Sequence, residues 1–189
     1  MSCEGDDDVV LNDVWTMYFH DPNDSDWTCN SYKRITNISS VKEYWRLHDL
    51  LKAHIPQGMF FFMREHVFPC WDDPNNIDGG CLSIKVLKQH MPAFWHALCV
   101  RLLGETLCED VGDWHLVRGI STSPKRNFCI VKLWIGDDAH RDPAGFALPT
   151  MHAGEILYKS NRENMESNQR PEKCSKQYGS GGCGTTSGT

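Results

Sequence analysis

Two tryptophans and an acidic pair carry the most distinctive chemistry in the chain. Trp71 is followed by Asp72 and Asp73 in the stretch FPCWDDPNN (68–76), and Trp27 follows HDPNDSD (20–26); both segments are rich in turn formers. Arg118 stands in a strand candidate, with Lys125 and Arg126 in the turn beyond it. One kind of ligand would use all of these groups. A flat base with a positive charge would stack between two indoles, gaining dispersion and a cation–π attraction of ~1–2 kcal/mol when desolvated. A neighbouring carboxylate would accept hydrogen bonds from the base edge and complement its charge. Arginine and lysine would hold phosphates. A plainer alternative has the tryptophans covering a sheet edge, the aspartates capping a turn and the basic side chains solvated.

Either reading needs elements that hold these side chains. VWTMYF (14–19) predicts a strand, and the polar loop after it delivers Trp27. YKRI (32–35) predicts a second strand. SSVKEYWRLHDLLKAHI (39–55) predicts a helix: Ser40 with Glu43 makes a capping box, and Pro56 and Gly58 stop the element. Tyr44, Leu47, His48 and Leu51 share its core face, while Val41 and Trp45 form an i,i+4 pair on another side. MFFFM (59–63) predicts a strand leading to the Trp71 loop, and Gly79-Gly80 turns the chain into the strand candidate CLSIKVL (81–87). PAFWHALCVRLLGETL (92–107) predicts a second helix with Pro92 in its first turn. Phe94, Leu98 and Leu102 form one stripe of it, with Trp95 off that stripe. HLVRGI (115–120) and NFCIVKLWI (127–135) predict a hairpin, Pro143 and Pro149 bracket at most a short helix, and EILYKS (155–160) predicts a last strand. The mix lacks strict βαβ alternation, which predicts an α+β fold with an antiparallel sheet and helices on one face.

The chain has 189 residues, 40% of them hydrophobic and 23% charged, enough for one domain with a sizeable core. Residues 1–10 read as a flexible acidic lead, 11–160 as the domain and 161–189 as a disordered low-complexity tail. The net charge of -6 argues against a broad basic surface for nucleic acid, but not against a small basic pocket. No stretch reaches the ~20 apolar residues of a membrane helix, and the acidic start lacks signal-peptide order. The nine cysteines are odd in number and form no C-x-x-C pair, so free thiols in a reducing compartment are expected, in the cytoplasm or nucleus. His140 and His152 lack metal-ligand spacing, and no cofactor is expected.

The ordered set VWTMYF…DWTC, SVKEYWRL, FPCWDDPNN…GGCLSI, AFWHALCVRLLGETL and HLVRGI…IVKLW resembles the eukaryotic translation initiation factor 4E family over roughly residues 9–160. The resemblance implies a curved antiparallel sheet with helices on its convex face and a slot for the 7-methylguanosine cap of mRNA on the concave side. Trp27 and Trp71 match the two stacking tryptophans. Asp72 stands where the family has the glutamate that accepts from guanine N1–H and the exocyclic amine, and Asp73 lies one place beyond it. Arg118 matches the arginine on the cap phosphates, and Trp134 the tryptophan that touches the N7-methyl group. The family's phosphate lysine is replaced by Ile130. Lys132 is expected on the opposite face of its strand, so either Lys125 or Arg126 in the turn is the expected substitute or the affinity for phosphate is lower.

The resemblance also implies a dorsal surface, where a scaffold initiation factor or a 4E-binding repressor lays a Tyr-x4-Leu-apolar helix. Val41, Trp45 and Trp95 match its positions. The family's His-Pro-Leu before the first strand is Val9-Val10-Leu11 here, and its glutamate two after the helix tryptophan is Ala97. The implied protein is a monomer that binds capped mRNA and promotes translation initiation. A cap-binding repressor or mRNA-storage homologue with other dorsal partners is the alternative. A thiol hydrolase built on Cys70 is a remote third reading, without a G-x-S-x-G, phosphate-loop or metal motif behind it.

Overall fold

The computed structural model describes residues 8–151 and 154–168. Seven strands form one antiparallel sheet: β1 (Val10–His20), β2 (Lys33–Ser40), β3 (Met59–Arg64), β4 (Gly80–Leu87), β5 (Val117–Pro124), β6 (Phe128–Ile135) and β7 (Leu157–Ser160), in the spatial order β2-β1-β3-β5-β6-β4-β7. Helices α1 (Val41–Leu51) and α2 (Met91–Leu103) cover one face, and α3 (Asn161–Asn168) follows the last strand. The expected α+β architecture with a curved antiparallel sheet is the one observed.

Strand alternation divides the side chains between two faces. Trp15 and Met17 of β1, Phe60 and Phe62 of β3, Leu82, Ile84 and Val86 of β4, and Val131, Leu133 and Ile135 of β6 point to the helices. There they meet Tyr44 and Leu47 of α1 and Phe94, Leu98 and Leu102 of α2, all buried. Burial of a side chain of this size contributes about 1.5–3 kcal/mol, so this layer holds the sheet in place. The residues between them build a smaller cluster on the other face: Tyr18, Phe61, Met63, Val67, Phe68, Cys81 and Trp134, with Cys70 and Trp71 packed on it.

The same period of two corrects the expectation for Lys132. Residues 130, 132 and 134 have one parity in β6, and the neighbours that enter the helix-side core are 129, 131, 133 and 135. Lys132 therefore shares the face of Trp134, not the opposite one.

Ser40 caps α1, its hydroxyl accepting from Glu43 N–H at 3.3 Å, while the Glu43 carboxylate accepts from the backbone N–H (2.7 Å) and hydroxyl (2.9 Å) of Ser39. Asp8 adds a second cap by accepting from Ser40 Oγ and from Lys42 N–H at 3.0 Å. Residues 8–10 thus belong to the fold, since Val10 already pairs with Ser40. The helix at 161–168 likewise departs from the expected disordered tail, and Asn161 and Asn164 in it are buried. The rest of both terminal expectations, 1–7 and 169–189, lies outside the described residues. Cys70, Cys81, Cys99, Cys108 and Cys129 are free thiols as expected; Cys29 is not, being disulfide-bonded.

Trp114 stands beside Trp15 with ring centroids 6.1 Å apart. The guanidinium of Arg64 lies 5.1 Å from the Trp15 ring and 4.9 Å from that of Trp114. It donates to the carbonyls of Val117 (2.7 Å) and Trp114 (3.0 Å) and pairs with Asp13. A buried arginine is tolerated here because its donors and both its π faces are occupied.

Candidate functional site

The loop 68–79 leaves β3 at one end of the sheet and folds back over the face that carries Trp134. Its own polar groups hold it there. Asp73 accepts from the backbone N–H of Phe68 (3.3 Å) and Asn75 (2.9 Å) and from the Asn75 amide (2.9 Å). Buried Asn76 donates to the carbonyls of Phe68 (2.9 Å) and Cys70 (2.8 Å). Asn161 of α3 donates to the carbonyl of Asn76 at 2.7 Å. Arg118 completes the brace, its Nε donating to Asn75 O and its Nη1 to His115 O, each at 3.0 Å. A side chain at Gly136 would collide with that guanidinium at about 2.4 Å, so glycine makes the room for it. Desolvation is the main cause that lowers the Arg118 pKa.

The two acids of the loop are therefore not equivalent. Asp73 is bound up in the turn itself, as the plainer alternative expected. Asp72 is half-buried beside Trp71 and interacts with the Cys70 thiol. Burial first, then the hydrogen bond to Asp72, pushes that thiol well above its usual range. A thiol held protonated is a poor nucleophile, which counts against hydrolase chemistry at Cys70.

Trp71 rests on the cluster that contains Trp134. Trp134 is almost fully buried, and its indole N–H donates to Ser121 Oγ at 2.9 Å. The ammonium of Lys132 stands 5.5 Å from the centroid of the Trp71 ring. Trp27 comes from the opposite end of the sheet, after β1. His20 stacks on it at 4.1 Å with an interplanar angle of 12°, and Tyr32 meets it edge-on at 6.4 Å. Tyr32 in turn contacts Phe61 at 5.3 Å and Phe68 at 5.2 Å. Rings thus connect Trp27 to the base of the loop that bears Trp71. Lys125 and Arg126 are exposed in the β5–β6 turn, at the Trp27 end of the sheet and away from the Trp71 loop.

On the helix side, Val41 is half-buried and Trp45 is 48% exposed. Trp95 is 4% exposed and belongs to the core. The buried stripe of α2 is wider than its Phe94, Leu98 and Leu102 period predicts: Met91, Trp95 and Cys99 join it. The residue of α2 that does meet Trp45 is His96, at 5.2 Å between ring centroids. His96 also lies 4.4 Å from His48 and 2.8 Å from the Tyr44 hydroxyl through Nδ1. Val9, Val10 and Val100 are exposed apolar side chains. Among the described residues, no group of three or more metal-binding side chains occurs, and no helix is long and apolar enough to cross a membrane.

Helices on one side of the sheet and a ring-lined cluster with a flanking carboxylate on the other make up an α+β domain. The family described as "Eukaryotic initiation factor 4E" matches residues 10–176, and the chain belongs to that family. It is 23% identical over 144 residues to the eukaryotic translation initiation factor 4E homolog of Acanthamoeba polyphaga mimivirus, covering 62% of this chain and 53% of that one. It is 26% identical over 139 residues to eukaryotic translation initiation factor 4E-1 of Hordeum vulgare subsp. vulgare, covering 69% and 61%. The chain thus spans half to three-fifths of the length of these relatives. Among solved structures, Ascaris suum eIF4E-3 with m7G cap superposes with a TM-score of 0.63 at 22% identity, over 72% of this chain and 78% of that chain. C. elegans eIF4E-3 with the 4E-binding protein Mextli gives 0.69 at 17% identity, over 85% and 97%. These likenesses show the fold.

Proposed function

We propose that this chain binds the 7-methylguanosine cap of mRNA on the sheet face opposite the helices and serves translation initiation by carrying a partner protein on the helix side. The observation that carries the reading is the loop 68–79. Asp73, Asn76 and Arg118 hold its backbone, with Trp71 packed on the cluster of Trp134 and half-buried Asp72 next to it in the chain. A base with a positive charge stacks on Trp71 and Trp27, and Asp72 accepts from its edge. Trp134 forms the floor near the methyl group. Aspartate is one methylene shorter than glutamate, and packing of Trp71 on the cluster brings the loop close to the sheet in compensation. Arg118, with two donors committed to backbone carbonyls, acts here as a brace for the loop; Arg126 in the exposed turn is available to phosphates or to the nucleotides beyond them. A family relative solved with m7GpppA and 4E-BP supports the pairing of the two ligand classes.

The experiment is a titration with m7GTP that follows tryptophan fluorescence. Saturable quenching in the wild type, lost in Trp71→Ala with an unchanged melting curve, supports the reading; equal quenching in both overturns the site. On the helix side, Val41 and Trp45 with His96 form the partner surface, and Trp95 acts through the core. Trp45→Ala then releases a Tyr-x4-Leu peptide without changing m7GTP affinity, and retention of that peptide would remove the surface from the account. Which partner docks there separates initiation from repression or storage of mRNA.

A further inference from the structure

Lys132 stands out among the basic side chains near the site because it touches a residue of it. Its ammonium lies 5.5 Å from the centroid of the Trp71 ring. Its strand neighbours across the sheet are Ser83 on β4 and Ser121 on β5, both small. Among the described residues no carboxylate stands within ion-pair distance of it. Other cations nearby have partners of their own: Arg118 gives two of its five donors to carbonyls, Lys159 donates to Ser167 Oγ at 2.6 Å and Arg162 pairs with Asp78 at 2.5 Å. Ile130, two residues before Lys132 on the same face, brings no charge.

An indole that holds an ammonium and a ligand that joins a cationic base to a chain of phosphates are complementary in two ways. The base and the ammonium compete for the π electrons of Trp71, since a cation on an indole weakens its pull on a second one. The phosphates of the same ligand are a far better partner for the ammonium than an aromatic face. Binding therefore exchanges cations: the base gains the indole and the polyphosphate gains the lysine. Resting on the proposal that this face binds a 7-methylguanosine nucleotide, we propose that Lys132 is the phosphate-binding lysine of this chain. Trp71 holds its ammonium beside the site until a polyphosphate receives it. The exchange makes affinity rise with phosphate number, because a nucleoside or monophosphate displaces the ammonium without offering it a full replacement. Lys132 is a specificity-determining residue on this account, and its long stem gives it the reach to leave the ring for the phosphates.

The test compares affinities for 7-methylguanosine monophosphate and triphosphate in the wild type, Lys132→Met and Lys132→Arg, with melting curves as a control on folding. The wild type is expected to prefer the triphosphate by tenfold or more. Lys132→Met is expected to cut that preference at least fivefold, with monophosphate affinity unchanged or improved, and to flatten the dependence of triphosphate binding on salt. Lys132→Arg is expected to keep the preference. An unchanged ratio in Lys132→Met, in a protein that still binds methylated nucleotides, overturns the lysine alone. A wild type that binds neither methylated nucleotide overturns the cap-binding reading and this inference together.

Discussion

His20 stacks on Trp27 with ring centroids 4.1 Å apart and planes only 12° from parallel. The imidazole is fully buried, and its Nε2 lies 2.8 Å from the carbonyl of Asp26, which assigns the proton to that nitrogen. One side chain of β1 thereby fixes both the indole and the residue before it. Loop side chains that are held in place lose less entropy when a ligand arrives. His20→Phe keeps the stack and is expected to keep m7GTP affinity within about threefold. His20→Ala releases the indole and is expected to weaken binding roughly 3–10-fold, which is ~0.7–1.4 kcal/mol. Fluorescence titration reads the affinities. Equal affinity for both variants would show that the stack does not position Trp27.

The two acids of the Trp71 loop should separate by experiment. Asp73→Ala removes the acceptor for two backbone N–H groups and an amide and is expected to cost about 1–3 kcal/mol of stability, read by thermal melts. Asp72→Asn leaves these bonds in place. Its stability should stay within ~0.5 kcal/mol of wild type, while m7GTP affinity falls by about tenfold or more because the base edge loses its charged acceptor. The reverse pattern would assign the ligand to Asp73.

Arg64 is expected to be a stability residue. Its guanidinium lies between the rings of Trp15 and Trp114 and pairs with Asp13. Arg64→Ala leaves Asp13 and two carbonyls without their donor and opens a gap between the indoles. The expected cost is about 3–5 kcal/mol, or a fall in Tm of roughly 6–20 °C for a chain of this size. Arg64→Met fills the gap and should recover part of that loss. A Tm within 2 °C of wild type for the alanine variant would contradict the role.

The paired histidines give the helix side a pH dependence. Burial, and then the neighbouring His96, holds the pKa of His48 below its ordinary value; Asp49 opposes the shift and Lys52 adds to it. The unfolded chain returns His48 to about 6.5. A lowered folded pKa means that the folded state prefers the neutral ring, so this contribution is present above pH 6.5 and is lost as pH falls towards the folded value. Urea midpoints at pH 7.5 and pH 5.5 measure the loss. His96→Gln should reduce it, and an identical pH dependence in that variant would remove His96 as a cause.

Much of the fold was legible because its signals are local. The Ser40–Glu43 cap, the alternation in VWTMYF and IVKLW, and the turn chemistry of FPCWDDPNN each specify a short piece of backbone, and each occurs where expected. Trp27, Trp71 and Asp72 could be singled out because exposed-type loops rarely carry indoles beside carboxylates. What escaped the sequence depends on partners far along the chain. Arg64 and Trp114 are fifty residues apart and meet only across the sheet. Trp95 lies at the edge of a stripe whose width is set by what packs against it, so burial decided its place over its neighbour His96. Arg118 also braces the loop because the carbonyl of Asn75 arrives beside it from another loop. The period of β6 fixes the face of Lys132, but only the folded loop brings Trp71 beside it.

The central claim is that this sheet face selects a positively charged purine. The most direct measurement is the affinity of the full chain for m7GTP against GTP at the same ionic strength. The two ligands carry the same phosphates and differ by one methyl group and the charge it brings. The account predicts saturable quenching of tryptophan fluorescence by m7GTP, with GTP binding at least tenfold more weakly, about 1.4 kcal/mol. Equal affinity for both would contradict stacking of a cationic base between Trp27 and Trp71.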